Sequence, residues 1–196
     1  MCHTLLQNPR FFQSLLDIDR ALAKDMQQKG CSFCHGVLHC ANYARKPRGL
    51  PSDIDPEHFS FRLSYCCNND LCRKRHTPVS VLFIRHKVYL GIVVTLSCLL
   101  LQGVSQFRLN TIESLGIPKQ TIYRWLAWWQ GEFITTPLWR SLQNYFSKAT
   151  LIPRDPILSL KANSLLEQLM LWLHHIRPIS VTCAMLLRVR DFPQRL

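Results

Sequence analysis

Gly30-Cys31-Ser32-Phe33-Cys34-His35-Gly36 and, further on, Tyr65-Cys66-Cys67-Asn68-Asn69-Asp70-Leu71-Cys72 frame the stretch that decides the fold. Two thiols two residues apart, followed closely by glycine, make a tight turn that points both sulfurs inward. A second thiol group, one loop and one strand later, can complete a tetrahedral cage of four sulfurs, the geometry of a closed structural zinc site. Metal binding then supplies folding free energy to loops that need no core of their own. Cys31 and Cys34 are the strong pair, Cys72 is the natural closer, and the fourth ligand is Cys67 or Cys66. Neighbours on a strand point to opposite faces, so one of the two binds. Cys67 is favoured because Phe61, Leu63 and Tyr65 share its side; Cys40, His35, His39 and His76 are substitutes. Free buried thiols are the plainer alternative. Disulfides are disfavoured, because nothing marks the chain for export.

The surrounding composition sets the partners. Lys and Arg number 24 against 12 Asp and Glu, a formal charge of +12 over 196 residues. An excess of that size points first to a polyanion such as nucleic acid and second to an anionic membrane surface, with a merely solvated basic face as the plain alternative. Nine cysteines behind an N-terminus without a basic, apolar leader predict a reducing cytoplasm.

Upstream of the cysteine frame, Phe12, Leu15, Leu16, Ile18, Leu22 and Met26 recur at spacings of three and four, predicting a helix over 11–28 that Gly30 ends. Its charges (Asp17, Asp19, Arg20, Lys24, Asp25) read as a solvated face. Within the frame, 37–44 and 60–67 are candidate strands, and 79–84 is a short β-like run that could finish the sheet. Between the first two lie Arg45-Lys46-Pro47-Arg48-Gly49 and then Asp53, Asp55 and Glu57. Proline and glycine at this density mean a loop. Arg45, Lys46 and Arg48 can grip phosphates, as can Arg73, Lys74 and Arg75 after the last cysteine. The acids read as turn residues, not a catalytic cluster.

Residues 88–104 form the most apolar run. It is shorter than the roughly 20 residues a spanning helix needs, so a buried scaffold helix is expected and a membrane segment is the alternative. Next comes Leu109-Asn110-Thr111-Ile112-Glu113-Ser114-Leu115-Gly116-Ile117-Pro118-Lys119-Gln120-Thr121-Ile122-Tyr123-Arg124-Trp125-Leu126. This predicts helix, sharp turn at Gly116, then a second helix opened by Pro118. Ile112, Leu115, Ile117, Ile122, Leu126 and Trp129 face inward; Lys119, Gln120, Thr121, Tyr123 and Arg124 face outward. Long polar and cationic residues at the start of a second helix suit a major groove. An αα-corner without a DNA role is the plain alternative, and Trp128 fits core packing better than base stacking. Further helices are expected over 138–147 and 157–176, separated by a linker at 151–156 and followed by a basic tail at 187–196. His174 and His175, being adjacent, read as helix-end residues.

Together, Cys31-x-x-Cys34-His35-Gly36, Cys66-Cys67-x4-Cys72-Arg73-Lys74-Arg75 and Leu115-Gly116-Ile117-Pro118-x-x-Thr121-Ile122-Tyr123-Arg124-Trp125 resemble bacterial mobile-element proteins that couple a zinc ribbon to a helix-turn-helix. The last segment is similar to the Leu-Gly-Ile-x-x-x-Thr-Val-x-Arg-Trp stretch of transposase and resolvase DNA-binding domains. The similarity covers roughly residues 30–130, and Cys66-Cys67-x4-Cys72 departs from a plain Cys-x-x-Cys. The resemblance implies binding to double-stranded DNA at element ends or an operator, without implying cutting. The expected protein is mainly α with a small β zinc ribbon: N-terminal helix (1–29), ribbon (30–87), helix-turn-helix (88–150), and C-terminal helices with the tail (151–196). It is expected to be non-enzymatic, to hold Zn2+, and to act with DNA and a separate recombinase or a second copy of itself, away from membranes. A small membrane-associated protein, or a zinc-stabilised RNA- or protein-binding adaptor, is the alternative.

Overall fold

The computed structural model describes residues 2–84, 89–91, 93, 110, 112–142 and 165–181. Helix α1 (Cys2–Leu6) leads into α2 (Pro9–Lys29). Asn8 caps α2: its backbone is extended and its side-chain oxygen accepts from the Arg10 N–H (3.0 Å) and the Phe11 N–H (3.4 Å). Proline follows at the first helical position, where its missing N–H costs nothing. The helix thus begins two residues before the expected start. It stops at Gly30, whose φ of +74° favours glycine and whose Cα hydrogens face the Gly36 carbonyl.

Five short strands follow: β1 (Leu38–Cys40), β2 (Tyr43–Ala44), β3 (Phe61–Arg62), β4 (Tyr65–Cys67) and β5 (Arg75–His76). One antiparallel sheet has the order β1-β4-β5, with Leu38 opposite Cys67, His39 opposite Cys66 and Tyr65 opposite His76; β2 and β3 form a second antiparallel pair. Each long strand expected from the sequence is therefore split in two. The split falls where Asn42 offers its side-chain oxygen to the Ser64 N–H (3.0 Å), replacing a backbone acceptor in the ladder. The sheet is finished by β5 and not by 79–84. Pro78 cannot donate to a ladder, and Ser80 turns the chain away by accepting from the Leu82 and Phe83 N–H groups (3.1 and 2.9 Å).

That turn is fixed to α2 by Asp19, which accepts from the Ser80 hydroxyl and from the Val81 N–H (2.7 Å). Asp19 is only 3% exposed, which corrects its placement on a solvated helix face. An unpaired buried carboxylate would be costly; here two donors and the buried Arg62 nearby answer it.

Further along, a helical turn at 112–114 reaches Gly116 in the left-handed region (φ +66°), and α3 (Lys119–Gln130) follows, with the Thr121 and Ile122 N–H groups bonding to Pro118 O (2.9 and 3.4 Å). Helices α4 (Pro137–Leu142) and α5 (Leu165–Ile176) complete the described helices. Rings from these segments interlock: Trp129 lies 4.6 Å from Phe133 and 5.4 Å from Trp172, and Phe133 lies 5.5 Å from Trp139. Phe12, Leu15, Leu82, Ile112, Ile122 and Trp172 belong to this one core, so α2, the 80–84 turn and the C-terminal helices share it. A smaller cluster of Ala23, Cys31, Leu38, Tyr65 and Cys67 lies beneath the cysteine frame. The protein is thus mainly helical with a small antiparallel β region.

Among the described residues no helix is long and apolar enough to cross a membrane. Most of 88–104, together with 143–164 and 182–196, lies outside the described residues. The expected scaffold helix, the 151–156 linker and the basic tail fall there in whole or large part. Tyr89, Leu90, Gly91 and Val93 are buried against the main core.

Candidate functional site

The sulfurs of Cys31, Cys34, Cys67 and Cys72 all lie within 4.8 Å of one another. Cys34 and Cys67 are 3.4 Å apart and Cys31 and Cys72 are 3.7 Å apart, distances far beyond a disulfide bond of about 2.05 Å. A metal at the centre of a tetrahedron, about 2.3 Å from each sulfur, would space the sulfurs by about 3.8 Å. The cage has that size, and no other group of this kind occurs among the described residues.

Local backbone structure explains how four sulfurs converge. In the first turn the His35 N–H bonds Cys31 O (2.8 Å), the Cys31 N–H bonds Gly36 O (2.9 Å), and His35 takes a positive φ of 57°. The second turn repeats this layout over Asn69-Asp70-Leu71-Cys72. The Arg73 N–H bonds Asn69 O (2.9 Å) and Arg73 takes a φ of 44°. Asn69 occupies the place that Cys31 holds in the first turn, and its side-chain oxygen accepts from the Leu71 N–H (3.0 Å). The missing sulfur comes instead from Cys67, two residues earlier on β4. The departure from Cys-x-x-Cys is therefore an Asn-x-x-Cys turn with its first ligand displaced onto a strand.

The same register separates Cys67 from Cys66. Cys67 is buried on the cage face, whereas the Cys66 thiol turns outward and lies 3.5 Å from Arg73 O. Cys40, His35 and His39 are exposed and take no part in the cage. His76 is buried, with Nε2 3.2 Å from Cys31 Sγ, so it contacts a ligand without joining the set. Gly36 closes the floor: a Cβ there would lie 3.1 Å from Cys67 Sγ and 3.3 Å from Cys34 Sγ.

The thiols are electrostatically unequal. Burial pushes Cys31 upward, but the N–H groups of Phe33 and Cys34, helped by His76, pull it down to about 5. At Cys34 the Gly36 N–H pulls downward, yet the Cys67 thiol and burial leave it raised. Burial raises Cys67 against the Asn69 N–H, and at Cys72 burial and the Cys34 and Cys31 thiols outweigh the Lys74 N–H. One sulfur ionises readily, and the others resist joining it until a cation balances them. Such a closed all-sulfur set suits a soft divalent ion and leaves no coordination position for substrate.

The cationic residues expected to meet DNA fall into two groups. Beside the cage, Lys74 and Arg75 are exposed and Arg73 pairs with Asp70. In the 45–48 loop Lys46 and Arg48 are exposed, Arg48 forms a β-bridge with Tyr89, and Arg45 is half-buried over the Phe83 ring (5.6 Å), next to the main core. On α3, Gln120, Tyr123 and Arg124 are exposed, and Lys119 reaches back to Glu113 (3.0 Å). Thr121 departs from expectation: it is 7% exposed, turned with Ile122 and Trp125 toward the core. Four residues before Trp125 and seven before Trp128, it falls on the buried stripe of the helix. Trp128 is also buried, among Trp129 and Phe133.

The sequence alone does not single out Asn69, and it places Asp19 on a solvated face; Gly36 is marked there as the turn glycine, but not as the floor of the cage. The parallel between Asn69-x-x-Cys72 and Cys31-x-x-Cys34 was the available signal for the first. Comparison with protein-family models, with curated proteins and with solved structures found no match to this chain.

Proposed function

We propose that the chain is a sequence-specific binder of double-stranded DNA whose basic lobe is a zinc ribbon held by Cys31, Cys34, Cys67 and Cys72. In this reading the segment from 112 to 130 is a helix-turn-helix. The metal is structural: it carries no substrate and supplies only the cross-link that orders the two turns. The observation that carries the reading is the division of α3 into two faces. Ile122, Trp125 and Trp129 anchor it to the core, while Gln120, Tyr123 and Arg124 stand exposed over its first half. Gln pairs with adenine and Arg with guanine or phosphate in a major groove. Lys46, Arg48, Lys74 and Arg75 supply the sequence-independent attraction to phosphates. Work in a reducing cytoplasm, at the ends or regulatory sites of a mobile element and with a second copy or a separate recombinase, completes the proposal.

Selection of duplexes from a random pool by the zinc-loaded protein tests it. An enriched sequence is expected, and Arg124→Ala should weaken its binding by about 1–3 kcal/mol and relax one position of the site. No enrichment, together with unchanged duplex affinity in Arg124→Ala, would reject the assignment.

A further inference from the structure

Beside the cage, two exposed aromatic rings each carry a cation. Lys74 Nζ sits 3.6 Å from the centroid of Phe33, a ring 62% exposed, and the Arg75 guanidinium lies 5.9 Å from that of Tyr43, 37% exposed. Lys74 and Arg75 are consecutive, and Arg75 opens β5, an outer strand of its sheet. Alternation along an extended segment sends neighbouring side chains to opposite sides. His76 is buried on the cage side, 5.7 Å from Phe33, so the Phe33–Lys74 pair lies on that side. The Tyr43–Arg75 pair lies on the other, where Arg75 also donates to Ala41 O (2.8 Å) and Ser64 Oγ (3.1 Å).

We propose that this β5 edge is a second nucleic-acid site, one that takes unpaired bases on Phe33 and Tyr43 and their phosphates on Lys74 and Arg75. Solvent-exposed rings are usually covered in a folded protein; here they are left out and paired with positive charge. A sequence-tolerant single-strand site needs that combination, because every base has a face to stack and every linkage a phosphate. An acidic peptide fits less well: the faces of Phe and Tyr rings are electronegative, so carboxylates gain from the cations and nothing from the rings. Duplex DNA fits less well too, since its bases are already stacked. The site is distinct from the Gln120–Arg124 face of α3; it shares with the duplex reading the metal-held fold and the two cations Lys74 and Arg75, while its rings serve the single strand alone.

The test uses the full zinc-loaded chain, with fluorescein-labelled oligo-dT and oligo-U as separate arms, polyglutamate as competitor, and the duplex as control. In the double variant Phe33→Leu/Tyr43→Leu both positions stay apolar and all charges remain, while the flat stacking surface is lost. Affinity for the single strand should fall at least about tenfold, with an unchanged salt slope because no phosphate contact is removed. Zinc content should stay at the wild-type value, and Phe33→Trp should restore or raise affinity. Arg124→Ala should leave oligo-dT binding alone, which separates failure of this site from failure of the duplex reading. Equal affinity of the wild type and the double variant, or displacement by polyglutamate as readily as by unlabelled oligo-dT, overturns the proposal. A stronger dT or U arm identifies the natural strand as DNA or RNA.

Discussion

Cys34 Sγ and Cys67 Sγ lie 3.4 Å apart, although 33 positions separate them in the chain. Bringing them together closes a loop that contains β1, β2, β3 and the Pro56–Phe59 turn. Loop closure on that scale costs several kcal/mol of chain entropy, and the small apolar cluster beneath the cage is a modest return. A cation bound in the cage would supply the rest. Cys67→Ser should therefore abolish stoichiometric metal binding and unfold the basic lobe, whereas Cys66→Ser should leave both intact. Metal content after dialysis, read with a chromophoric chelator, checks this; equal loss in both variants would contradict the register of β4.

Gly36→Ala is a milder probe of the same cage. The added methyl would stand 3.1 Å from Cys67 Sγ and 3.3 Å from Cys34 Sγ. Two sulfurs fixed by a metal cannot both retreat, so the variant should cost about 1–3 kcal/mol, as overpacked cores do. Thermal unfolding of the metal-loaded protein should show the loss. In the presence of excess chelator wild type and variant should converge, because the obstruction matters only while the cage is assembled.

Asn69→Ala tests the second turn. It removes the acceptor for the Leu71 N–H at an exposed position, so the expected cost is about 1 kcal/mol of stability with weaker metal retention. Asn69→Asp keeps the acceptor and should retain most of both. Competition against a chelator of known affinity measures the difference.

The extent to which the sequence foretold these features follows from which forces were local. The amphipathic spacing of Phe12, Leu15 and Leu16, the Gly30 stop and the Cys31-x-x-Cys34 turn are short-range signals, and each is present in the fold. Cys72 was legible as the closing thiol, and Cys67 was favoured over Cys66 on a face shared with Phe61, Leu63 and Tyr65; Leu63 and Tyr65 do pack with it, but Phe61 lies on the separate strand β3 and is exposed. Asp19 was not, because its burial depends on Ser80 and Val81, more than 60 positions away, folding back onto α2. The strand at Arg75–His76 was hidden because two residues carry no periodicity. Thr121 misled because a hydroxyl looks polar in sequence, while its place on the helical stripe with Trp125 and Trp128 decides its burial.

Asp19 should leave a signature in the pH dependence of stability. Burial raises its carboxyl from 3.8 to about 6, against the Ser80 and Val81 hydrogen bonds and the facing Arg62, all of which lower it. The folded state then holds its proton more tightly than the unfolded chain does. Its contribution to stability is complete below about pH 4 and is lost as pH rises through about 6, an effect on the order of 3 kcal/mol. Asp19→Asn cannot titrate. The stability of wild type minus that of Asp19→Asn, measured by denaturant unfolding, should therefore decline between pH 4 and pH 7. A flat or rising difference would show that Arg62 holds the carboxylate charged throughout.

Lys119 stands at the start of α3 but is tied to Glu113 by a 3.0 Å ion pair, with both side chains about half exposed. A pair so placed contributes well under 1 kcal/mol to folding, yet it holds the cation back toward the preceding turn. If α3 reads duplex DNA, Glu113 competes with phosphate for Lys119. Glu113→Gln should then leave the melting temperature nearly unchanged, strengthen duplex binding severalfold and steepen its salt dependence by about one phosphate contact. Lys119→Ala in that background should reverse both gains. A filter-binding titration at several salt concentrations decides the matter: a slope that Glu113→Gln leaves unchanged would mean that Lys119 does not touch the backbone.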